Sequence, residues 1–284
     1  MSWQVLSFIS LISYALAILT QRVLMKNEKS DSYAYSIVFQ LTTGAIIGIF
    51  GFFTAKMSFS NLQPVLLNLI ITTVLWGLAN IFIFSALKLI EASEFTIIFS
   101  SRILITIIAS TLLLKEGLNL FQFLGVFLIL SAVILVTYKS KKFSLKKGAI
   151  YALLGAVCFG LGNTNDRIAL KHMELYSYVT LSFILPTLFT IIISPKSVLK
   201  IKQFLKITTL SKMLFMCILY SVSSIAFFSA LQTNSNSSQT TSVSLLSVIF
   251  IVILSAIFLK ERDHLTRKII GAILSILGGI ILIR

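Results

Sequence analysis

Charged residues are scarce in this chain. They make up 12% of its 284 residues, whereas hydrophobic residues make up 57%, and the mean hydropathy is +0.99. A soluble domain is about a quarter charged and roughly 45–50% apolar. With so few polar side chains to cover it, the outer surface must face lipid. The composition therefore excludes an ordinary soluble protein and predicts an integral membrane protein.

Cysteine and histidine are rare as well, with two residues of each. Cys158 and Cys217 lie inside apolar runs, and His172 and His264 stand alone, so the sequence offers no disulfide framework and no metal-ligand spacing. It also has no Gly-Lys-Ser/Thr loop of the kind that binds nucleotide phosphates. We therefore expect no metal, no cofactor and no ATP-driven pumping by this chain.

The net charge of +15 reflects only nine acidic residues against 24 lysines and arginines. The lysines cluster in short connectors, with five between residues 139 and 147 and five between residues 196 and 212. This pattern is typical of connectors beside an anionic cytoplasmic leaflet, and it argues against a nucleic-acid partner. It predicts a multi-pass protein of the cell (inner) membrane, with cytoplasmic lysine-rich loops and both termini outside.

Ten apolar segments approach the length of about 20 residues that a helix needs to cross a bilayer. They lie near residues 3–25, 33–54, 64–88, 92–114, 120–138, 148–171, 176–194, 211–231, 238–259 and 267–283. The connectors between them are short. The sequence therefore predicts an all-α integral membrane fold with ten transmembrane helices.

The two halves of the chain repeat each other. Residues 84–87 (Phe-Ser-Ala-Leu) recur 144 positions later as residues 228–231. Residues 1–140 and 141–284 are thus expected to form two five-helix repeats. Because five is odd, the second repeat must enter the membrane inverted relative to the first. Inverted repeats are common in transporters, where the substrate site lies near the midplane between them, although a duplicated scaffold would carry the same signal.

Short motifs also recur in register. The fourth span of each half ends in Leu-Lys-Glu, at residues 114–116 and 259–261, and a glycine follows early in the next span, Gly125 or Gly271. The first span of each half ends with a lysine, Lys26 and Lys171. In these features the whole chain resembles the EamA-type transporters of the drug/metabolite transporter superfamily.

The family's usual Trp-Gly in the first span of a half is replaced here by Tyr14-Ala15 and Phe159-Gly160. The resemblance implies ten helices and secondary (ATP-independent) transport, often export, of varied small metabolites. We therefore expect a transporter and not an enzyme.

Arg102 is the most informative single residue. It lies ten residues into the predicted fourth span, or about 15 Å along a helix, which is the bilayer midplane. An arginine at this depth costs about 2.5–3.5 kcal/mol on insertion scales, so it should face the bundle interior and have a partner. The partner could be a carboxylate or phosphate of a substrate, which the guanidinium binds with two hydrogen bonds. The alternative is a structural ion pair or hydrogen bonds to nearby carbonyls.

Polar and aromatic residues recur at helical spacing on several spans, which places each set on one side of its helix. Such residues either line a cavity or hydrogen-bond one helix to the next. The candidate substrate-binding residues are Arg102, Trp76, Asn80, Tyr14, Phe159, Asn163, Tyr220, Ser224, Thr240 and Ser244.

Asp166 is the one carboxylate that lies well inside a predicted span. It lies near the outer interface, and although it could carry a coupling proton, a local charge pair with the neighbouring Arg167 is the favoured interpretation. Arg22 and Arg167 each lie a few residues inside a span end, where long basic side chains extend to the headgroups.

The sequence favours a secondary transporter, working as an exporter, for a small polar metabolite such as an amino acid or another anion-bearing compound. It would work by alternating access, with proton or exchange coupling. Efflux of hydrophobic or cationic compounds is an alternative, and an intramembrane lipid-modifying enzyme or a flippase is an alternative of another class. The Gly44 and Gly48 pair allows a close helix crossing within the bundle or in a homodimer.

Overall fold

Each of the ten segments that the sequence predicts contains a helix within the described residues. The computed structural model describes residues 1–26, 30–54, 57–59, 62–114, 120–139, 142–143, 146–233 and 244–283. The helices are α1 (Trp3–Met25), α2 (Ser32–Thr54), α3 (Leu66–Leu89, preceded by a 3₁₀ turn at Gln63–Val65), α4 (Ala92–Phe99), α5 (Arg102–Leu114), α6 (Leu120–Thr137), α7 (Lys147–Ala169), α8 (Leu175–Ile193), α9 (Lys196–Leu199, followed by a 3₁₀ helix at Lys200–Leu205), α10 (Ile207–Thr233), α11 (Ser247–Phe258) and α12 (Leu265–Ile283).

Five spans within the described residues are long and apolar enough to cross a membrane by themselves: 3–25, 32–54, 63–89, 175–193 and 207–230. Shorter apolar helices lie at 123–137 and 247–258. Large apolar side chains such as Phe53 and Ile192 point outward and are more than three-quarters exposed. The chain is therefore a multi-pass membrane protein, as the composition predicts.

The fourth predicted span, 92–114, is not one continuous helix. It divides into α4 and α5 at Ser100 and Ser101, whose hydroxyls donate to the carbonyls of Ile97 and Ile98 at 2.6 and 2.8 Å. Backbone bonds across this point reach three residues back rather than four, as from the Ser101 amide to the Ile98 carbonyl. Serine hydroxyls that bond the preceding turn commonly bend helices in this way. The interruption makes Arg102 the first residue of a new helix.

Two connectors contain structure that the sequence did not predict. After α6, strand β1 (Tyr138–Lys139) pairs antiparallel with β2 (Lys142–Phe143), so the fold is not purely helical. After α8, the lysine-rich connector folds into α9 and its 3₁₀ extension. Lys200 in this connector contacts Asp31 at 2.5 Å, which fastens it to the start of α2.

Helices from the two halves pack in antiparallel pairs. Gly44 and Gly48 of α2 lie against Ile184 and Thr180 of α8, so one helix runs down as the other runs up. A Cβ at Gly44 would lie 2.9 Å from Ile184 Cγ1, so only glycine fits there. The Gly44 and Gly48 pair therefore serves packing within the bundle in this structure.

The same arrangement holds at the other end of each repeat. Gly278 of α12 contacts Gly125 and Ile129 of α6, while Gly271 lies against Val136, so these two helices are also antiparallel. The remaining large pairings are α1 with α10 and α3 with α7. Each pairing joins one half of the chain to the other, which leaves the interior of the bundle at the boundary between them.

Candidate functional site

Arg102 lies in this interior, surrounded by aromatic rings. Its guanidinium carbon is 4.6 Å from the ring centre of Phe99, 4.8 Å from that of Phe159 and 5.9 Å from that of Tyr14. One guanidinium nitrogen donates to the Tyr14 hydroxyl at 3.4 Å. The face of an aromatic ring attracts a cation because its electron density is negative. The rings come from α1, α4 and α7, so three helices fix the position of this charge.

Gly160 of α7 sets the position of Arg102. A Cβ at Gly160 would lie 2.7 Å from the Arg102 carbonyl oxygen and 2.7 Å from Ile105 Cβ, so α5 packs directly on the α7 backbone. The hydroxyl of Thr106 then donates to the carbonyls of both Gly160 and Arg102, at 3.2 and 3.0 Å. The small residue in the Phe159-Gly160 dipeptide is what lets the start of α5 come this close.

The aromatic surroundings extend beyond the arginine. Tyr220 of α10 lies 6.0 Å from Tyr14, 4.9 Å from Phe39 and 6.0 Å from Phe183, measured between ring centres. The ring of Trp76 also lies 4.6 Å from that of Phe159. Together these rings and those around Arg102 are called the aromatic cluster: Tyr14, Phe39, Trp76, Phe99, Phe159, Phe183 and Tyr220. Tyr14, Trp76, Phe159 and Tyr220 are among the residues singled out in the sequence. Phe39, Phe99 and Phe183 are not, because a phenylalanine in an apolar run carries no sign of which way it faces.

Asp166 contacts Trp76, a member of this cluster. It is 6% exposed, and it accepts hydrogen bonds from the Tyr178 hydroxyl at 2.5 Å and from Trp76 Nε1 at 3.2 Å. The expected charge pair with Arg167 is wrong, because within the described residues Asp166 forms no ion pair and the Arg167 side chain is exposed. A neighbour in sequence on a helix points about 100° away, so adjacency does not bring the two groups together.

The remaining candidates differ in their surroundings. Asn80 is buried, and its side-chain amide donates to the Trp76 carbonyl at 2.8 Å. Asn163 and Ser224 are half-buried, as is Ser244. Thr240 lies outside the described residues, as do Lys115 and Glu116 of the first Leu-Lys-Glu motif. The roles of these residues stay predictions.

A second polar cluster closes the lysine-rich end of the bundle. Arg22 Nε lies 3.0 Å from a Glu261 oxygen, and an Arg22 terminal nitrogen donates to the Leu87 carbonyl at 2.6 Å. The other Glu261 oxygen accepts from the Ala92 amide at 2.9 Å. Nearby, Lys268 pairs with Glu91. These contacts tie α1, α3 and α4 to the end of α11 and the start of α12.

This cluster corrects the interpretation of Arg22 as a side chain that extends to the headgroups. The Arg22 side chain is 11% exposed and Glu261 is 6% exposed, so the pair is buried. Burial raises the pKa of the Glu261 carboxyl, and the hydrogen bonds from Arg22 and from the Ala92 amide oppose that rise without cancelling it. Glu261 is the acid of the second Leu-Lys-Glu motif, so the motif joins the two halves at this end.

The EamA-like transporter family model matches residues 1–138 and again residues 146–284. The chain belongs to the EamA-like transporter family. The double match covers nearly the whole sequence, as the recurring Leu-Lys-Glu motifs indicate, and members of this family are transporters rather than enzymes. Membership in the drug/metabolite transporter superfamily, expected from the sequence, is thus confirmed.

A solved crystal structure also matches this EamA-like transporter. It is 14% identical to the chain, the match covers 99% of this chain and 96% of that one, and the two superpose with a TM-score of 0.63. At this level of identity the likeness concerns the fold alone. No curated protein matches the chain.

Proposed function

We propose that this EamA-like protein is a secondary transporter, working as an exporter, for small polar metabolites that carry an anionic group, such as amino acids. The observation that supports this proposal is the set of groups that surround Arg102. Throughout the described part of the chain no carboxylate contacts it, and its neighbours are aromatic rings and one tyrosine hydroxyl. A charge inside a membrane span normally has an ionic partner, and for the half-buried Arg102 a substrate would supply it.

The geometry around Arg102 suits a carboxylate. Phe99 and Phe159 contact the guanidinium with their rings, which orients it without using up its five N–H donors. A carboxylate can then take two parallel hydrogen bonds from the fork, which are stronger than bonds between neutral groups. The aromatic cluster would accommodate the apolar part of the same molecule. A cationic compound fits this site less well, because the Arg102 charge repels it.

Alternating access between two inverted repeats is the mechanism we propose. Its support is the packing of equivalent helices: α2 pairs with α8, the second helix of each half, and α6 pairs with α12, the fifth of each half. Both pairs are antiparallel. Copies related by an axis along the membrane normal would run parallel, so antiparallel partners favour an axis in the membrane plane. Ten membrane crossings, with both termini outside and the lysine-rich connectors in the cytoplasm, follow from this arrangement and the positive-inside rule.

Ligand binding tests the proposal directly. A thermal-shift screen of purified protein against amino acids, other carboxylates, sugars, nucleosides and amines should show stabilisation by anion-bearing compounds, since a ligand of the folded state raises its apparent stability. Arg102→Ala should weaken the binding of such a compound about tenfold or more, because charge-assisted hydrogen bonds contribute about 1.5–3 kcal/mol. Arg102→Lys keeps the charge and should retain partial binding and partial transport in vesicles.

Two results would contradict the proposal. One is an unchanged affinity of the hit compound for the Arg102→Ala variant that still folds. The other is stabilisation by amines or uncharged sugars alone. Tyr176→Phe is a suitable control, because this residue packs on Phe50 and lies outside the aromatic cluster.

A further inference from the structure

Asp166 is a buried carboxylate that the proposed substrate site does not use. Its hydrogen bonds come from two neutral donors, the Tyr178 hydroxyl and the Trp76 indole. An ionised carboxylate that is buried without a cationic partner is costly. The group can remove that cost by taking up a proton, in which case the carboxyl donates one bond instead of only accepting.

A continuous set of contacts joins this carboxylate to Arg102. Trp76 donates to Asp166 at 3.2 Å, and its ring lies 4.6 Å from that of Phe159 in an edge-to-face arrangement. Phe159 in turn lies 4.8 Å from the Arg102 guanidinium carbon. Gly162 allows Trp76 to lie this close to α7, since a Cβ there would be 3.3 Å from the indole nitrogen. Trp76 therefore contacts both the acid and the aromatic surroundings of the cation.

On the other side, hydrogen bonds lead from Asp166 toward the start of α3. The Tyr178 hydroxyl also contacts the Thr72 hydroxyl at 2.9 Å, and Asn165 donates to that hydroxyl at 2.8 Å. Asn68 donates to the Asn165 side-chain oxygen at 2.8 Å and is itself half-buried. This chain of polar groups connects the buried carboxylate with the end of the bundle opposite the lysine-rich connectors.

We propose that Asp166 binds and releases a proton during transport, and that Trp76 couples this step to anion binding at Arg102. The inference rests on the proposed function of Arg102. When Asp166 takes up a proton, a negative charge disappears from the group that Trp76 and Phe159 connect to the cation, so Arg102 becomes a stronger anion site. Proton and anion then favour each other's binding, and by reciprocity an occupied Arg102 favours the protonated acid. The two would move together, and export would be driven by the metabolite's own gradient.

Other charged or titratable groups near Asp166 also affect its protonation. The charged or titratable groups on the elements around it are Arg167, Lys171 and His172 from α7 and the turn after it, Glu174, Tyr176 and Tyr178 from the start of α8, and Arg102 from α5. The part of α3 that packs here presents only Asn68, Thr72 and Trp76. Arg102 is the cation whose contacts lead to Asp166 through Phe159 and Trp76. Removing its charge should therefore change the pH at which Asp166 is half-protonated.

Tryptophan fluorescence can report the protonation of Asp166 directly, and the measurement requires no knowledge of the substrate. The chain has two tryptophans, so Trp3→Phe leaves Trp76 as the sole emitter. Its emission should change with a single midpoint as the pH is varied between about 4 and 9, and adding Asp166→Asn should make the titration flat. A titration that persists in the Asp166→Asn variant, or a flat one in the parent, would overturn the protonation of Asp166.

The coupling has its own readout in the same background. Arg102→Ala should raise the midpoint by up to about one pH unit, because a nearby cation stabilises the ionised acid and the variant lacks it. Arg102→Lys should stay close to the parent. An unchanged midpoint in Arg102→Ala would contradict the proposed coupling between Asp166 and Arg102.

If Asp166→Asn does not fold, Tyr178→Phe serves in its place. Loss of the 2.5 Å hydrogen bond should raise the midpoint, and an unchanged midpoint would count against the proposal. These titrations need no ligand, so they remain readable if the screen finds no anion that binds Arg102. The failure of the proposed substrate site and the failure of the proton site are therefore distinguishable.

Discussion

Arg22→Ala is expected to destabilise the folded protein by about 3–5 kcal/mol at neutral pH, because removing one partner of a buried ion pair leaves the other charge without compensation. Arg22 and Glu261 are 11% and 6% exposed and lie 3.0 Å apart. Glu261 would keep the Ala92 amide as a partner but lose its cation. A thermal unfolding curve in detergent should show a large fall in the midpoint, with Arg22→Ala/Glu261→Gln recovering part of it.

Arg167→Ala is the matched control for this prediction. It is the counterpart of Arg22 in the second half, 145 residues later, but its side chain is exposed. Exposed substitutions usually change stability by less than about 0.5 kcal/mol. Equal losses in the two variants would contradict the role given to the Arg22 pair.

The loss caused by Arg22→Ala should depend on pH. The folded-state pKa of Glu261 is already raised by burial, and Arg22 is one of the groups that hold it down. Without Arg22 it rises further above the unfolded value of about 4.3, so the protonated form is favoured in the folded state. Stability is then greatest at low pH and falls as the pH rises through the folded-state pKa. The variant should be closest to the parent below the unfolded pKa of about 4.3 and should fall further behind it as the pH rises through the folded-state pKa of Glu261.

Gly160→Ala is expected to lower stability by about 1–3 kcal/mol and to weaken ligand binding about tenfold or more. The new Cβ would lie 2.7 Å from the Arg102 carbonyl oxygen, which belongs to the backbone and cannot rotate away. Overpacking of a close contact typically costs about 1–3 kcal/mol. The start of α5 must shift, and the guanidinium moves with it. Thermal unfolding and a binding titration with the hit compound measure the two effects.

Gly155→Ala, five residues earlier on α7, is the control. Its Cβ would meet Ile83 and Phe82 no closer than 3.5 Å, an ordinary contact distance. Alanine is favoured over glycine in a helix by about 1 kcal/mol, so this variant should be as stable as the parent or more so. If Gly160→Ala behaves in the same way, the close packing of α5 on α7 does not position Arg102.

The helix bounds could be predicted because in a membrane they depend on local composition. A run of apolar residues must stay helical to satisfy its backbone, and it ends where charged residues reach the headgroups. The predicted segment 3–25 accordingly coincides with α1 (Trp3–Met25). The division of 92–114 at Ser100 could not be predicted in this way, because serine also occurs within continuous helices such as α10.

The site could be predicted only at residues whose free-energy cost inside the membrane marks them as functional. Arg102 is such a residue, since a charge in mid-span needs a partner wherever the partner comes from. The partners of Arg22 and Asp166 were missed because they are distant in sequence. Glu261 lies 239 residues from Arg22, and Trp76 lies 90 residues from Asp166. Position along a helix predicts depth in the membrane, but not which side chain from another helix lies at the same depth.

The opposite orientation of the two halves is tested most directly by reporter fusions in cells. Alkaline phosphatase, which is active only outside the cytoplasm, and a fluorescent protein, which matures inside it, would each be fused at Phe143 and at the carboxy terminus. The account predicts a fluorescent, phosphatase-inactive fusion at Phe143 and a dark, phosphatase-active fusion at the carboxy terminus. If both positions report the same side of the membrane, the second half crosses an even number of times, which contradicts two inverted five-helix repeats.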